Sequence, residues 1–83
     1  MDGLIEGRIV HYVLPDGKSK GEHRPAIVVK VWNQETGCCN LTVFPDWEND
    51  AGLYSGDSGL VWATSRLYDP KAAGGTWHWT EKA

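Results

Sequence analysis

The amino-acid sequence predicts a single all-β domain spanning residues 1–83, and three observations predict it. Apolar residues fall into five short runs rich in β-branched and aromatic side chains, each fenced by turn formers. No long helical pattern separates these runs. With 83 residues, 41% of them hydrophobic and 23% charged, the chain can build one marginal core but not two, and its composition excludes wholesale disorder.

The first strand is expected from Gly7 to Leu14, where alternation sets Ile9, His11 and Val13 against Val10, Tyr12 and Leu14. Pro15-Asp16-Gly17 ends it, and a polar loop through Glu22 comes next. Arg24 to Trp32 reads as the second and central strand, with Pro25 suited to a strand start and Ile27, Val29 and Val31 sharing one face. Asn33-Gln34-Glu35-Thr36-Gly37 is a hairpin connection ending in glycine, so the third strand, Cys38 to Phe44, should pair antiparallel with the second. In that strand Cys39, Leu41 and Val43 alternate with Asn40, Thr42 and Phe44. Residues 45–59 form one long loop carrying Trp47, Leu60 to Leu67 is the fourth strand, and Thr76 to Thr80 the fifth. The terminal Glu81-Lys82-Ala83 is expected to fray. Because parallel strands need long crossovers that are missing here, the spacing predicts a five-stranded, partly closed SH3-like barrel.

A net charge of −3 argues against tight, sequence-independent binding to a phosphate backbone. The one locally basic stretch, Lys18 to Arg24, reads as a solvated loop. No apolar run is long enough to span a membrane, and the opening Met-Asp-Gly-Leu-Ile-Glu has no signal-peptide pattern. Cys38 and Cys39 are neighbours whose side chains should point to opposite faces, which disfavours a disulfide between them. Reduced thiols and the lack of a targeting pattern predict a cytoplasmic protein.

Two resemblances extend this reading. The segment Gly7-Arg8-Ile9-Val10, the loop with Pro15 and Gly17, Arg24-Pro25-Ala26-Ile27-Val28-Val29 and the hairpin Asn33 to Cys38 resemble the opening of the MazF and PemK toxins, SH3-like barrels that cut RNA. That resemblance implies a phosphate-stabilising role for Arg24. The family's second catalytic position, a Thr or Ser, would fall near Phe44-Pro45-Asp46, where neither hydroxyl is present. Over nearly its full length the chain resembles a group of small bacteriophage and prophage proteins. The blocks that carry this likeness are Val10 to Leu14, Arg24 to Trp32, Asn40 to Phe44, Leu60 to Ser65 and Gly75 to Trp79. It implies a phage or prophage origin and brings no activity to any residue.

Complete catalytic and metal motifs are absent from the sequence. Gly56-Asp57-Ser58-Gly59 copies a serine-protease string, but 83 residues cannot build the two barrels that motif serves. His11, His23, His78 and the cysteines lack the local spacings of a zinc site, and Asp46, Glu48, Asn49 and Asp50 lack the calcium-loop pattern. Neither a metal nor another cofactor is therefore expected. Aromatic content carries the functional signal: five indoles exceed what so small a core can cover, so some should reach the surface. Candidate ligand-binding residues are His11, His23, Arg24, Trp47, Trp62, Trp77, His78 and Trp79, with Asn40, Asn49 and Asp50 as further polar groups. These point to a non-enzymatic binding module whose partner is a host protein, a nucleotide-like ligand or a second copy of itself. The rival expectations are a MazF-like endoribonuclease using Arg24, a virion structural component and a sponge for signalling nucleotides.

Overall fold

The computed structural model describes residues 1–50 and 59–81. Among them there is no helix, and the architecture is one five-stranded sheet in the order β4-β3-β2-β1-β5, every neighbouring pair antiparallel. The strands are β1 (Ile9–Val13), β2 (His23–Asn33), β3 (Cys38–Val43), β4 (Val61–Arg66) and β5 (Trp77–His78). The strand of 11 residues, β2, lies at the centre as expected, paired with β1 on one side and β3 on the other.

One face of the sheet is sealed. Val10, Tyr12 and Leu14 from the β1 segment, Ala26 and Val28 from β2, Cys39, Leu41 and Val43 from β3, and Ala63 from β4 form the core. Burial pushes the Cys39 thiol up to about 12, while Cys38 is half-buried, so the adjacent cysteines divide between the two faces and both are free. In β2 the alternation is interrupted by register shifts between Val28 and Lys30 and between Val31 and Asn33. An extra residue in one strand shifts the facing of every later residue in that strand by one position. Val31 consequently packs against the core opposite Cys39, whereas Val29 is exposed, so the expected common face for Ile27, Val29 and Val31 breaks at the bulge.

Just past β4 the chain reaches the opposite edge of the sheet. Trp77 N donates to the Leu67 carbonyl at 3.1 Å, Asp69 N donates to the Trp77 carbonyl at 2.9 Å, and Tyr68 and Trp77 form a parallel bridge. The two edges meet there at one bridge and are not joined along a closed ladder.

Gly37 closes the β2–β3 hairpin with a φ of 77°. A Cβ placed there would lie 2.6 Å from Tyr68 Cβ and 3.1 Å from Trp77 Cζ2. Gly37→Ala is therefore expected to cost about 2 kcal/mol from left-handed strain and overlap, read as a lower urea midpoint with an unchanged m-value. A midpoint equal to wild type would show that the hairpin does not need this close approach.

Candidate functional site

The antiparallel registers bring distant side chains together on the outer face of the sheet. Since Val10, Ala26, Val43 and Ala63 point into the core, their strand neighbours point away from it. Ile9 lies opposite Ile27, Ile27 opposite Thr42, and Thr42 opposite Trp62, so one row of side chains crosses four strands. Trp62 is 58% exposed and Ile9 56%. Trp32, also 58% exposed, belongs to the same face: its Nε1 donates to Asn40 Oδ1 at 3.0 Å, and Lys30 Nζ sits 5.0 Å from its ring centroid. Thr64 Oγ1 and Ser65 N donate to the same Asn40 oxygen, at 2.9 and 2.8 Å. Asn40, expected as a further polar group for a ligand, is a buried clamp that fixes Trp32 and the end of β4.

The adjacent row is polar. His11 pairs with His78 on β5 and with Pro25 on β2, and His23 occupies the diagonal position beside Val13. The His23 and His78 ring centroids lie 4.6 Å apart, with His11 at 5.8 Å from His78 and 6.4 Å from His23. Into this group comes Glu81, three residues beyond His78. Its Oε1 lies 2.5 Å from His78 Nε2, 2.6 Å from His23 Nδ1 and 3.1 Å from His11 Nδ1. Hydrogen bonds from His78, then His11 and His23, hold the Glu81 carboxyl well below its usual range, at about 2. Far from fraying, Glu81 is tied to three strands; residues 82–83 lie outside the described residues. His78 is 7% exposed, and its Nδ1 is sealed from solvent without a hydrogen-bond partner.

Of the other predicted site residues, one is sealed in the core. Trp77 has no exposed surface and donates its Nε1 proton to the Gly37 carbonyl at 2.8 Å; it is a core residue and presents no ring to a ligand. Its neighbour Trp79 is partly buried, packed edge-on against Trp77 at 5.0 Å with the Arg8 guanidinium 5.5 Å from its ring. Trp47 is 64% exposed and lies over Gly59, where a Cβ would come within 2.4 Å of its ring.

Arg24 is engaged in a structural clasp. Its Nε donates to Asp50 Oδ2 at 2.7 Å and its Nη2 to Asp50 Oδ1 at 3.0 Å, while Nη1 donates to the His23 carbonyl and lies 3.5 Å from Glu22. Asp50 is 1% exposed and also accepts the Asp46 N–H at 2.7 Å, so the fork pins the start of the long loop to β2. Although it lies in a loop rich in acidic and polar residues, Asp50 is thus sealed from solvent. Asn49 belongs to the same turn, with its Nδ2 donating to Asp46 Oδ2 and its carbonyl accepting from Ser19 Oγ at 3.4 Å. The rest of the loop, with Gly56, Asp57 and Ser58, lies outside the described residues.

Local spacing gave no sign of a metal site, yet among the described residues the fold gathers one candidate set. The ligand-capable atoms of His11, His23, His78 and Glu81 all lie within 4.8 Å of one another. Local motifs cannot show this arrangement, because each residue comes from a different strand or from the segment beyond β5. Also missed was the apolar row led by Ile9 and Ile27, although the alternation in β1 and β2 held the signal.

Fold and site together define a class: a small antiparallel-sheet protein whose outer face joins an exposed apolar row to a cluster of three imidazoles and a carboxylate. No family model, curated protein or solved structure matches the chain. No helix among the described residues is long and apolar enough to cross a membrane.

Proposed function

We propose that this chain is a small non-enzymatic binding module of phage or prophage origin, an SH3-like barrel that docks a host protein on the outer face of its sheet. The observation that carries the reading is the row Ile9, Ile27, Thr42, Trp62, with Trp32 beside it. Exposed indoles on a rigid strand surface are the side chains that most often dominate protein-protein affinity. Trp32 is held in place by Asn40 before any partner arrives, so little ordering entropy opposes contact. A shallow hollow lined by Thr42, Leu60 and Val61 borders Trp62 and offers a recess for a partner's side chain. A net charge of −3 disfavours the alternative that these rings stack on nucleic-acid bases, since such surfaces rely on basic tracks. The barrel reading draws support from the bridge between Tyr68 and Trp77 at the sheet edges.

The test measures one partner quantitatively. A host protein recovered with the full chain is purified, and its affinity is measured against wild type and Trp62→Ala. Truncating this exposed indole is expected to cost about 2 kcal/mol of binding, roughly 30-fold in Kd, while folding stability changes by no more than about 0.5 kcal/mol. An unchanged Kd would overturn the assignment of this face. So would a wild-type dimer in sedimentation that Trp62→Ala dissociates, or nucleotide quenching of tryptophan fluorescence that the variant abolishes, since each gives the face another occupant.

A further inference from the structure

We propose that His11, His23, His78 and Glu81 form a binding site for a divalent transition-metal ion, with Zn²⁺ the ion whose preferences the site matches. The proposal is independent of the protein-docking face and rests on how four side chains converge.

Three imidazole nitrogens, His11 Nδ1, His23 Nδ1 and His78 Nε2, all approach a single carboxylate oxygen, Oε1 of Glu81, at 3.1, 2.6 and 2.5 Å. A carboxylate oxygen offers about two lone-pair positions, so three N–H donors are one more than it can accept with good geometry. Each donor must also keep its proton on the nitrogen facing the oxygen. A cation at the focus reverses the demand: the three nitrogens present lone pairs, the carboxylate presents negative charge, and the competition of three donors for one oxygen is removed. Their protons then reside on the far ring nitrogens or pass to solvent. For His78 that far nitrogen is Nδ1, which is sealed and without a partner, so Nε2 is the atom through which this imidazole acts on its surroundings.

The chemistry of the set selects the ion. Neutral imidazole suits Zn²⁺, Cu²⁺ and Ni²⁺, whereas Mg²⁺ and Ca²⁺ need oxygen-rich shells. Three imidazoles and a carboxylate supply the nitrogen and oxygen donors that zinc accepts, and four of them is the number a tetrahedral ion takes; Cys38 and Cys39 are outside the group. Glu81, with a side chain 54% exposed, leaves a route for the ion from solvent.

The position in the fold supplies a purpose. His11 belongs to β1, His23 to β2 and His78 to β5, and Glu81 lies just beyond β5. Only two residues make up β5, and it pairs with β1 at two register positions, so an ion shared by β1, β2 and β5 adds a side-chain tie to a very short strand. A bound ion would staple that strand to the sheet, the device by which small domains commonly supplement a limited core.

The experiment uses the full chain, freed of metal with a chelator and titrated with Zn²⁺ by calorimetry and with Co²⁺ by visible absorption. Expected are one ion per chain, the intense absorption bands of tetrahedral Co²⁺, and a higher melting temperature with Zn²⁺ than without it. His23→Ala and His78→Ala should each weaken Zn²⁺ by at least about tenfold. Glu81→Gln lies outside the strands and keeps the side-chain shape, so it tests the site even where a histidine variant fails to fold; it should weaken Zn²⁺ by a similar factor. Glu35→Gln, in the hairpin beyond the opposite end of β2 from His23, should bind as wild type. Failure of Zn²⁺ and Co²⁺ to bind would overturn the proposal, as would binding that Glu81→Gln and His23→Ala leave unchanged.

Discussion

Replacing Trp77 with alanine is expected to remove much of the folding free energy. The indole is fully buried, with Tyr68 and Trp79 each at 5.0 Å between ring centroids. Its backbone bonds the Leu67–Asp69 segment, and its strand pairs with β1 at Tyr12. Emptying such a site costs about 3–5 kcal/mol through lost burial and the residual cavity. Losing the Nε1 donor also leaves the Gly37 carbonyl without that partner, a further cost of about 1–3 kcal/mol where water does not enter. A domain of 83 residues commonly has about 4–12 kcal/mol in total. Urea denaturation monitored by circular dichroism should therefore show a Trp77→Ala protein that is unfolded or nearly so in buffer, whereas Trp62→Ala melts close to wild type. A loss below about 1 kcal/mol would contradict the core role assigned to Trp77.

The second large effect concerns Arg24 and Asp50. Removing the guanidinium strands a carboxylate that is 1% exposed, and breaking a buried pair in this way costs about 3–5 kcal/mol. Arg24→Ala is expected to fall in that range by chemical denaturation; Asp50→Asn, which leaves a neutral acceptor for Arg24, should cost less. The pair also sets a pH dependence. Chiefly through the Arg24 hydrogen bonds, against the opposing pull of burial, the Asp50 carboxyl is lowered from 3.8 to about 2. Because the folded value is the lower one, the folded state binds fewer protons than the unfolded state between these values. The pair's contribution is complete above about pH 4 and fades as the pH falls through about 2, amounting to about 2 kcal/mol. Wild type should lose that much more stability than Asp50→Asn on acidification across this window. Parallel acid titrations of the two proteins would contradict the assignment.

These results separate the features that could be read along the chain from those that could not. The five strands, the central place of β2 and the hairpin ending at Gly37 came from short-range pattern, because alternation and turn chemistry are local properties. Strand ends differed by a residue or two, as expected where the ladder frays. The bulge after Val28 was invisible, since an extra residue is recognised only against its partner strand, and it reversed the expected facing of Val31. Trp77 and Trp62 look alike as aromatic residues in short β runs, yet one is sealed and the other is 58% exposed. The difference comes from the neighbours: the Leu67–Asp69 segment crosses Trp77, whereas Trp62 is at the end of a row facing solvent.

By itself the sequence determined an all-β chain of five short strands, a surplus of indole too large for its core, and two free cysteines. Tertiary structure alone decided that His11, His23, His78 and Glu81 share one point and that Arg24 is bound to Asp50. Strand identity depends on side-chain periodicity within a few residues, but convergence depends on register between strands far apart in the chain. A shift of one residue in either the β1–β2 or the β1–β5 pairing would send those imidazoles to opposite faces, with no change in any local pattern.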